Sequence, residues 1–167
     1  MPAKSDFSAA EWCALRNAPQ FVALATAAAG NSGLFGSLSE GMAAAGAFAE
    51  ATRANNRLIR ELLAPEEVRA AHQDLHAALK PVGEPVDVAS RLQDAALEAV
   101  GAALAALQAH QATDDDSDFR KMLAWLADRV ARASKEGDFL GFGGERVSAG
   151  ERRFLERLHA VVGVTAP

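Results

Sequence analysis

The stretch Asp87–Ala112, DVASRLQDAALEAVGAALAALQAHQA, decides the fold class. Its apolar residues Val88, Leu92, Ala95, Ala96, Ala99, Val100, Ala103, Leu104 and Leu107 recur at three- and four-residue spacing, which lines them along one face of a long α-helix. On its C-terminal side, Asp114-Asp115-Asp116-Ser117-Asp118 supplies a polar turn and an N-cap. Phe119, Met122, Leu123, Leu126, Val130 and Ala133 then form a second apolar stripe that Gly137 closes. Ser148-Ala-Gly-Glu151 is a capping box for a last helix, with Phe154, Leu155, Leu158, Val161 and Val162 inward and Arg152, Arg153, Glu156 and Arg157 outward.

Toward the N-terminus, Pro81, Gly83 and Pro85 mark a rigid connector at 80–85 that joins two helical halves of one domain spanning 1–167. Pro65 with Glu66 and Glu67 opens a helix that runs to Leu79, proline at its first position and acids in its positive first turn. Asn55-Asn56 is a break before a short helix, Arg57 to Leu63. The preceding helix, Ser37 to Ala54, carries Gly41, Ala45 and Ala49 at four-residue spacing beside Leu38 and Met42, so a neighbour can approach its backbone closely. Gly30-Asn31-Ser32-Gly33 is a turn. Ser8-Ala-Ala-Glu11 is a capping box that starts the first helix near Ala9. Pro19 predicts a break or kink, after which Gln20 to Ala29 is apolar all round, as in a central helix. Nothing alternates with the period of a half-buried strand. An all-α, single-domain bundle or array of about seven helices with no sheet follows.

Half of the residues are hydrophobic and 23% are charged, the composition of a globular chain rather than a disordered one. At this length folding buries roughly 70% of the unfolded surface, enough for one core. A net charge of -5 argues against nucleic acid. The apolar run Phe21 to Ala29 is too short to span a membrane, and Asp6 and Glu11 interrupt any signal-peptide pattern. The sole cysteine, Cys13, forms no disulfide within the chain, so the expectation is a cytoplasmic protein. Arg outnumbers Lys and Ala dominates the apolar set, a bias that goes with GC-rich bacterial coding.

Few constellations carry chemistry. His72 and His76 have the four-residue spacing of two metal ligands on one helix face, but the glutamate of a zincin motif and a third ligand are missing. On a helical wheel His72 falls within the stripe of Val68, Ala71, Leu75 and Leu79, with His76 at its edge. Glu156 and His159 are a single Glu-x-x-His pair where a di-iron bundle needs two, and Glu156 faces outward. His110 belongs to packing or capping. The run Asp114 to Asp118 lacks the glycine and the glutamate of a calcium loop and reads as a solvated helix start. Cys13 beside Trp12 and Leu15 reads as packing.

The segment Gly137 to Val147, GDFLGFGGERV, combines glycines with large apolar side chains before a helix start. Gly143 and Gly144 offer backbone amides to an anion, without the Lys-Ser/Thr pair of a P-loop. Phe139, Leu140 and Phe142, with Phe35 in the related loop Gly33-Leu34-Phe35-Gly36, either fold back on the bundle or meet a partner. The sequence therefore points to a non-enzymatic helical protein acting through protein contacts or as a homodimer, with no cofactor. The alternative is a metal- or small-ligand-binding module centred on His72 and His76.

Overall fold

A computed structural model describes residues 2–29, 46–53, 56–79, 88–136 and 149–164. Among the described residues the regular structure is entirely helical. A 3₁₀ turn, Lys4–Asp6, leads into α1, Ala9–Ala29. A helical stretch over 46–51 is α2. There follow α3, Arg57–Leu62; α4, Pro65–Ala78; α5, Val88–Ala109; α6, Thr113–Glu136; and α7, Ala149–Val162. No helix among the described residues is long and apolar enough to cross a membrane.

The start of α1 is built as its sequence requires. The Ser8 backbone N–H donates to Glu11 Oε2 at 2.8 Å and the Glu11 N–H donates to Ser8 Oγ at 3.3 Å, the reciprocal pair of a capping box. The Ser8 hydroxyl holds the Glu11 carboxyl below its usual range. Phe7 packs on Trp12 with ring centroids 6.0 Å apart, the apolar staple that accompanies such a start. Phe7 also meets the His110 ring edge-on at 4.6 Å, which gives His110 its packing role.

Pro19 does not break α1; the helix runs through it without interruption. Proline here removes one backbone donor and crowds the carbonyl four residues back, which disfavours an isolated helix by about 3 kcal/mol. Burial outweighs that. Every residue from Asn17 to Ala23 is buried, two turns closed on all sides, because α1 is the central helix and packs on α4, α5, α6 and α7, most extensively on α5. Each buried Leu or Phe side chain contributes roughly 1.5–3 kcal/mol, so Leu15 and Phe21 on either side of the proline already hold the segment in place. The α5 stripe meets α1 as its periodicity predicts, with Leu92, Ala96, Val100, Ala103, Leu104 and Leu107 all buried.

The chain reverses between α5 and α6 in three residues. The Gln111 N–H donates to Gln108 O and the Ala112 N–H to Leu107 O, both at 3.0 Å, with Gln111 at φ 50°. This is the Schellman closure, with glutamine in the left-handed position that glycine usually takes. Because Gln111 absorbs the reversal, α6 starts at Thr113, and the aspartate run is the first turn of that helix rather than a turn before it. The acids then lie against the positive end of the helix dipole. Gln111→Gly is expected to stabilise the fold by about 0.5–1 kcal/mol, read by urea unfolding, since relief of left-handed strain exceeds the added unfolded-state entropy.

One further helix face differs from its predicted orientation, and a second departs from prediction only at its edge. In α2 the buried residues are Ala47 and Ala51, and Ala49 is exposed. Two residues along a helix turn the face by about 200°, so the small-residue contact lies nearly opposite the one predicted; Leu38, Gly41, Met42 and Ala45 lie outside the described residues. In α7 Phe154, Leu158 and Val162 are buried as predicted and Leu155 packs partly against the core, while Glu151 joins them inward and Val161 is left 38% exposed. Gly163, at φ 65°, ends this helix by donating to His159 O at 2.9 Å. Arg120 of α6 covers the freed carbonyls, its Nη1 donating to Val162 O at 3.0 Å. The predicted connector at 80–85 and the capping residue Ser148 lie outside the described residues.

Candidate functional site

The outer face of α6 borders two depressions. Lys121, Trp125, Asp128 and Arg132 follow one another at three- and four-residue spacing along it, with Arg129 four residues from Trp125 and three from Arg132, so they share one face. Trp125 is half-buried between two depressions and lines both. The first is a groove of 670 Å³ floored by Ala51, Ile59, Met122 and Trp125 and rimmed by Glu50, Arg53, Asp118 and Lys121. The second, of 340 Å³, lies toward the C-terminal end of α7 and is lined by Lys121, Ala124, Trp125, Asp128, Arg129, Arg132, His159 and Val164. Arg129 approaches Glu50 at 3.8 Å and His159 approaches Asp128 at 3.8 Å.

One wall of the groove is fixed by Asn56, which the structure shows to be the N-cap of α3 as well as the break before it. Its Oδ1 accepts from the Ile59 N–H at 3.1 Å, while its Nδ2 donates to Asp115 at 3.0 Å and to Asp118 at 3.1 Å. The side chain thus caps one helix and ties it to the first turn of another. Asp115 is 2% exposed, so this part of the aspartate run is not a solvated helix start. An amide with all its groups satisfied is what permits a buried carboxylate there.

A second polar cluster joins α1 to α4. Arg16 sits between two carboxylates, with Nη2 at 2.8 Å from Asp74 and Nη1 at 3.5 Å from Glu67, and Lys4 pairs with Glu67 from the other side. Asn17 Nδ2 donates to Asp74 Oδ2 at 3.0 Å, and the Cys13 thiol donates to the same oxygen at 3.2 Å. Burial pushes the Cys13 thiol up, and Asp74 pushes it further. Burial also acts to raise both carboxyls, but donors from Lys4 and Arg16 at Glu67, and from Arg16, Asn17 and Cys13 at Asp74, hold them below their usual range. A protonated thiol facing a saturated carboxylate is no nucleophile. The cluster is a staple between helices, so Cys13 belongs to a polar junction and not only to apolar packing.

His72 and His76 are both exposed. The inward face of α4 is Glu67, Ala71 and Leu75, so His72 lies outside the stripe assigned to it, with its Nδ1 3.1 Å from Val68 O. Among the described residues no three His, Cys, Asp or Glu gather as metal ligands. Glu156 is exposed, on the outward side. Phe35, Phe139, Leu140, Phe142, Gly143 and Gly144 lie outside the described residues.

The α6 face does not stand out in the sequence, because the regular signal of that segment is its apolar stripe and Lys121, Trp125, Asp128, Arg129 and Arg132 match no ligand motif. A tryptophan placed four residues from Lys121 and four from Arg129, among charges, is the signal that marks it. Compared with family models, curated proteins and solved structures, the chain matches none.

Proposed function

We propose that the chain is a non-catalytic helical protein that acts by self-association through the outer face of α6. The observation that carries this is Trp125, a large aromatic ring standing between two depressions and ringed by charge of both signs. Tryptophan and arginine are the residues most often central to protein contacts. A two-fold contact presents the same patch from both subunits, so the patch must complement itself. Glu50, Asp118 and Asp128 stand within it against Arg53, Lys121, Arg129 and Arg132, which allows acids of one copy to face bases of the other. The apolar floor under Trp125 supplies surface to bury.

The expected result is a dimer for the wild type by size-exclusion chromatography with light scattering across a micromolar concentration series. Trp125→Glu is expected to be a monomer with an unchanged circular dichroism spectrum. A wild type that is monomeric throughout, or a variant that dimerises as well as the wild type, refutes the reading.

A further inference from the structure

The smaller depression holds more than a self-complementary contact needs. Of the charged side chains that line it, Lys121, Arg129 and Arg132 are cations and only Asp128 is an anion. Lys121 and Arg132 make no ion pair among the described residues, and Arg129 reaches Glu50 only at 3.8 Å. The fourth basic group, His159, is mostly buried, with its side chain 14% exposed. Its Nε2 is buried and has no hydrogen-bond partner among the described residues, since Asp128 Oδ1 stands 3.8 Å away, beyond bonding distance. A buried polar nitrogen without a partner is uncommon. Beside these groups stands Trp125, an aromatic surface at the mouth of a cavity sized for a small ligand.

We propose that this depression binds a small aromatic anion, its ring packed on Trp125 and its charged group held by Arg129, Arg132 and Lys121. His159 lines the same depression beside that charged group. Guanidinium groups suit the task because their planar fork matches a carboxylate or phosphate through two parallel hydrogen bonds. This inference shares Trp125, Lys121, Arg129 and Arg132 with the self-association face but rests on a different observation, the excess of cations around the smaller depression. Arg132 and His159 line only the smaller depression, whereas Glu50 and Arg53 line only the groove.

The test is isothermal titration of the full chain with three probes: 1-naphthyl phosphate, inorganic phosphate and 1-naphthol. The first is expected to bind at one site per chain, at least about tenfold tighter than either of the others, because a charged hydrogen bond and the ring contact each contribute on that scale. Arg132→Ala is expected to weaken 1-naphthyl phosphate by about tenfold, Arg132→Lys, which keeps the charge but not the fork, by less, and both keep the circular dichroism spectrum of the wild type. Inorganic phosphate binding as tightly as the aryl phosphate, 1-naphthol binding as tightly, no saturable binding at all, or an Arg132→Ala variant that binds like the wild type would each overturn the proposal. Since Arg132 lies on the exposed side of α6, its loss leaves the core intact and the comparison stays interpretable.

Discussion

Asn56→Leu is expected to lower the free energy of unfolding by about 2–4 kcal/mol, the sum of a lost helix cap near 1 kcal/mol and a buried carboxylate left without its donor. For a chain of this size that is a fall in Tm of about 5–12 °C. The informative companion is Asn56→Asp. Aspartate keeps the oxygen that accepts from the Ile59 N–H, so the cap survives, but it turns a two-hydrogen donor into a third carboxylate facing Asp115 and Asp118. At neutral pH Asn56→Asp is therefore expected to be at least as unstable as Asn56→Leu, and to regain stability as the pH falls through the carboxylate range. Urea unfolding at two pH values measures both. If Asn56→Asp matches the wild type at neutral pH, the tie to Asp115 carries no stability.

The second large effect belongs to Arg16. Removing one member of a buried charge pair typically costs about 3–5 kcal/mol; Arg16 keeps one-fifth of its side chain exposed and Asp74 about a third, so solvent reduces the expected loss for Arg16→Met to about 2–3 kcal/mol. The same cluster sets a pH profile with a definite sign. Glu67 and Asp74 have folded pKa values below their ordinary ones, so the folded state binds fewer protons than the unfolded chain on the acid side. Their contribution is present above the ordinary carboxylate values of 4.5 and 3.8 and is lost as pH falls through the lowered ones. Cys13 is raised above its ordinary 9.0, so its contribution is present below that value and is lost as pH rises past it. Wild-type stability is thus expected to be highest between these limits. Arg16→Met should flatten the acid limb, because the carboxyls lose the donor that lowers them. Cys13→Ala should flatten the alkaline limb. Unfolding midpoints across the pH range read all three, and an acid limb unchanged in Arg16→Met would show that the cluster contributes nothing to it.

The parts of the fold legible in the sequence are those fixed by local chemistry. Ser8 and Glu11 cap α1 because both partners lie within one turn, Asn55-Asn56 breaks the chain before α3, and Pro65 needs only its missing donor to open α4. The stripe of α5 could be read because it is long enough for periodicity to dominate. Pro19 ran the other way: its local preference is to stop a helix, and only the ring of neighbouring helices around Asn17 to Ala23 keeps it helical. The rotation of α4 that exposes His72, and of α2 that buries Ala47 and Ala51, has the same origin, since a short or mixed stripe leaves its phase to whichever neighbour it meets.

The site follows this division as well. The residue types on the outer face of α6 and their spacing are set by the sequence alone, as are an all-helical chain, its cap positions and its long central stripes. That Trp125 separates two depressions, that His159 of α7 comes to share one of them with Arg132, and that Arg16 and Cys13 of α1 meet Asp74 of α4 were decided only by tertiary packing. Local hydrogen bonds and periodicity act within a few residues along the chain. A shared depression across 27 residues in one case and a contact across 58 in the other depend on how helices stack, and no spacing within a single helix encodes that.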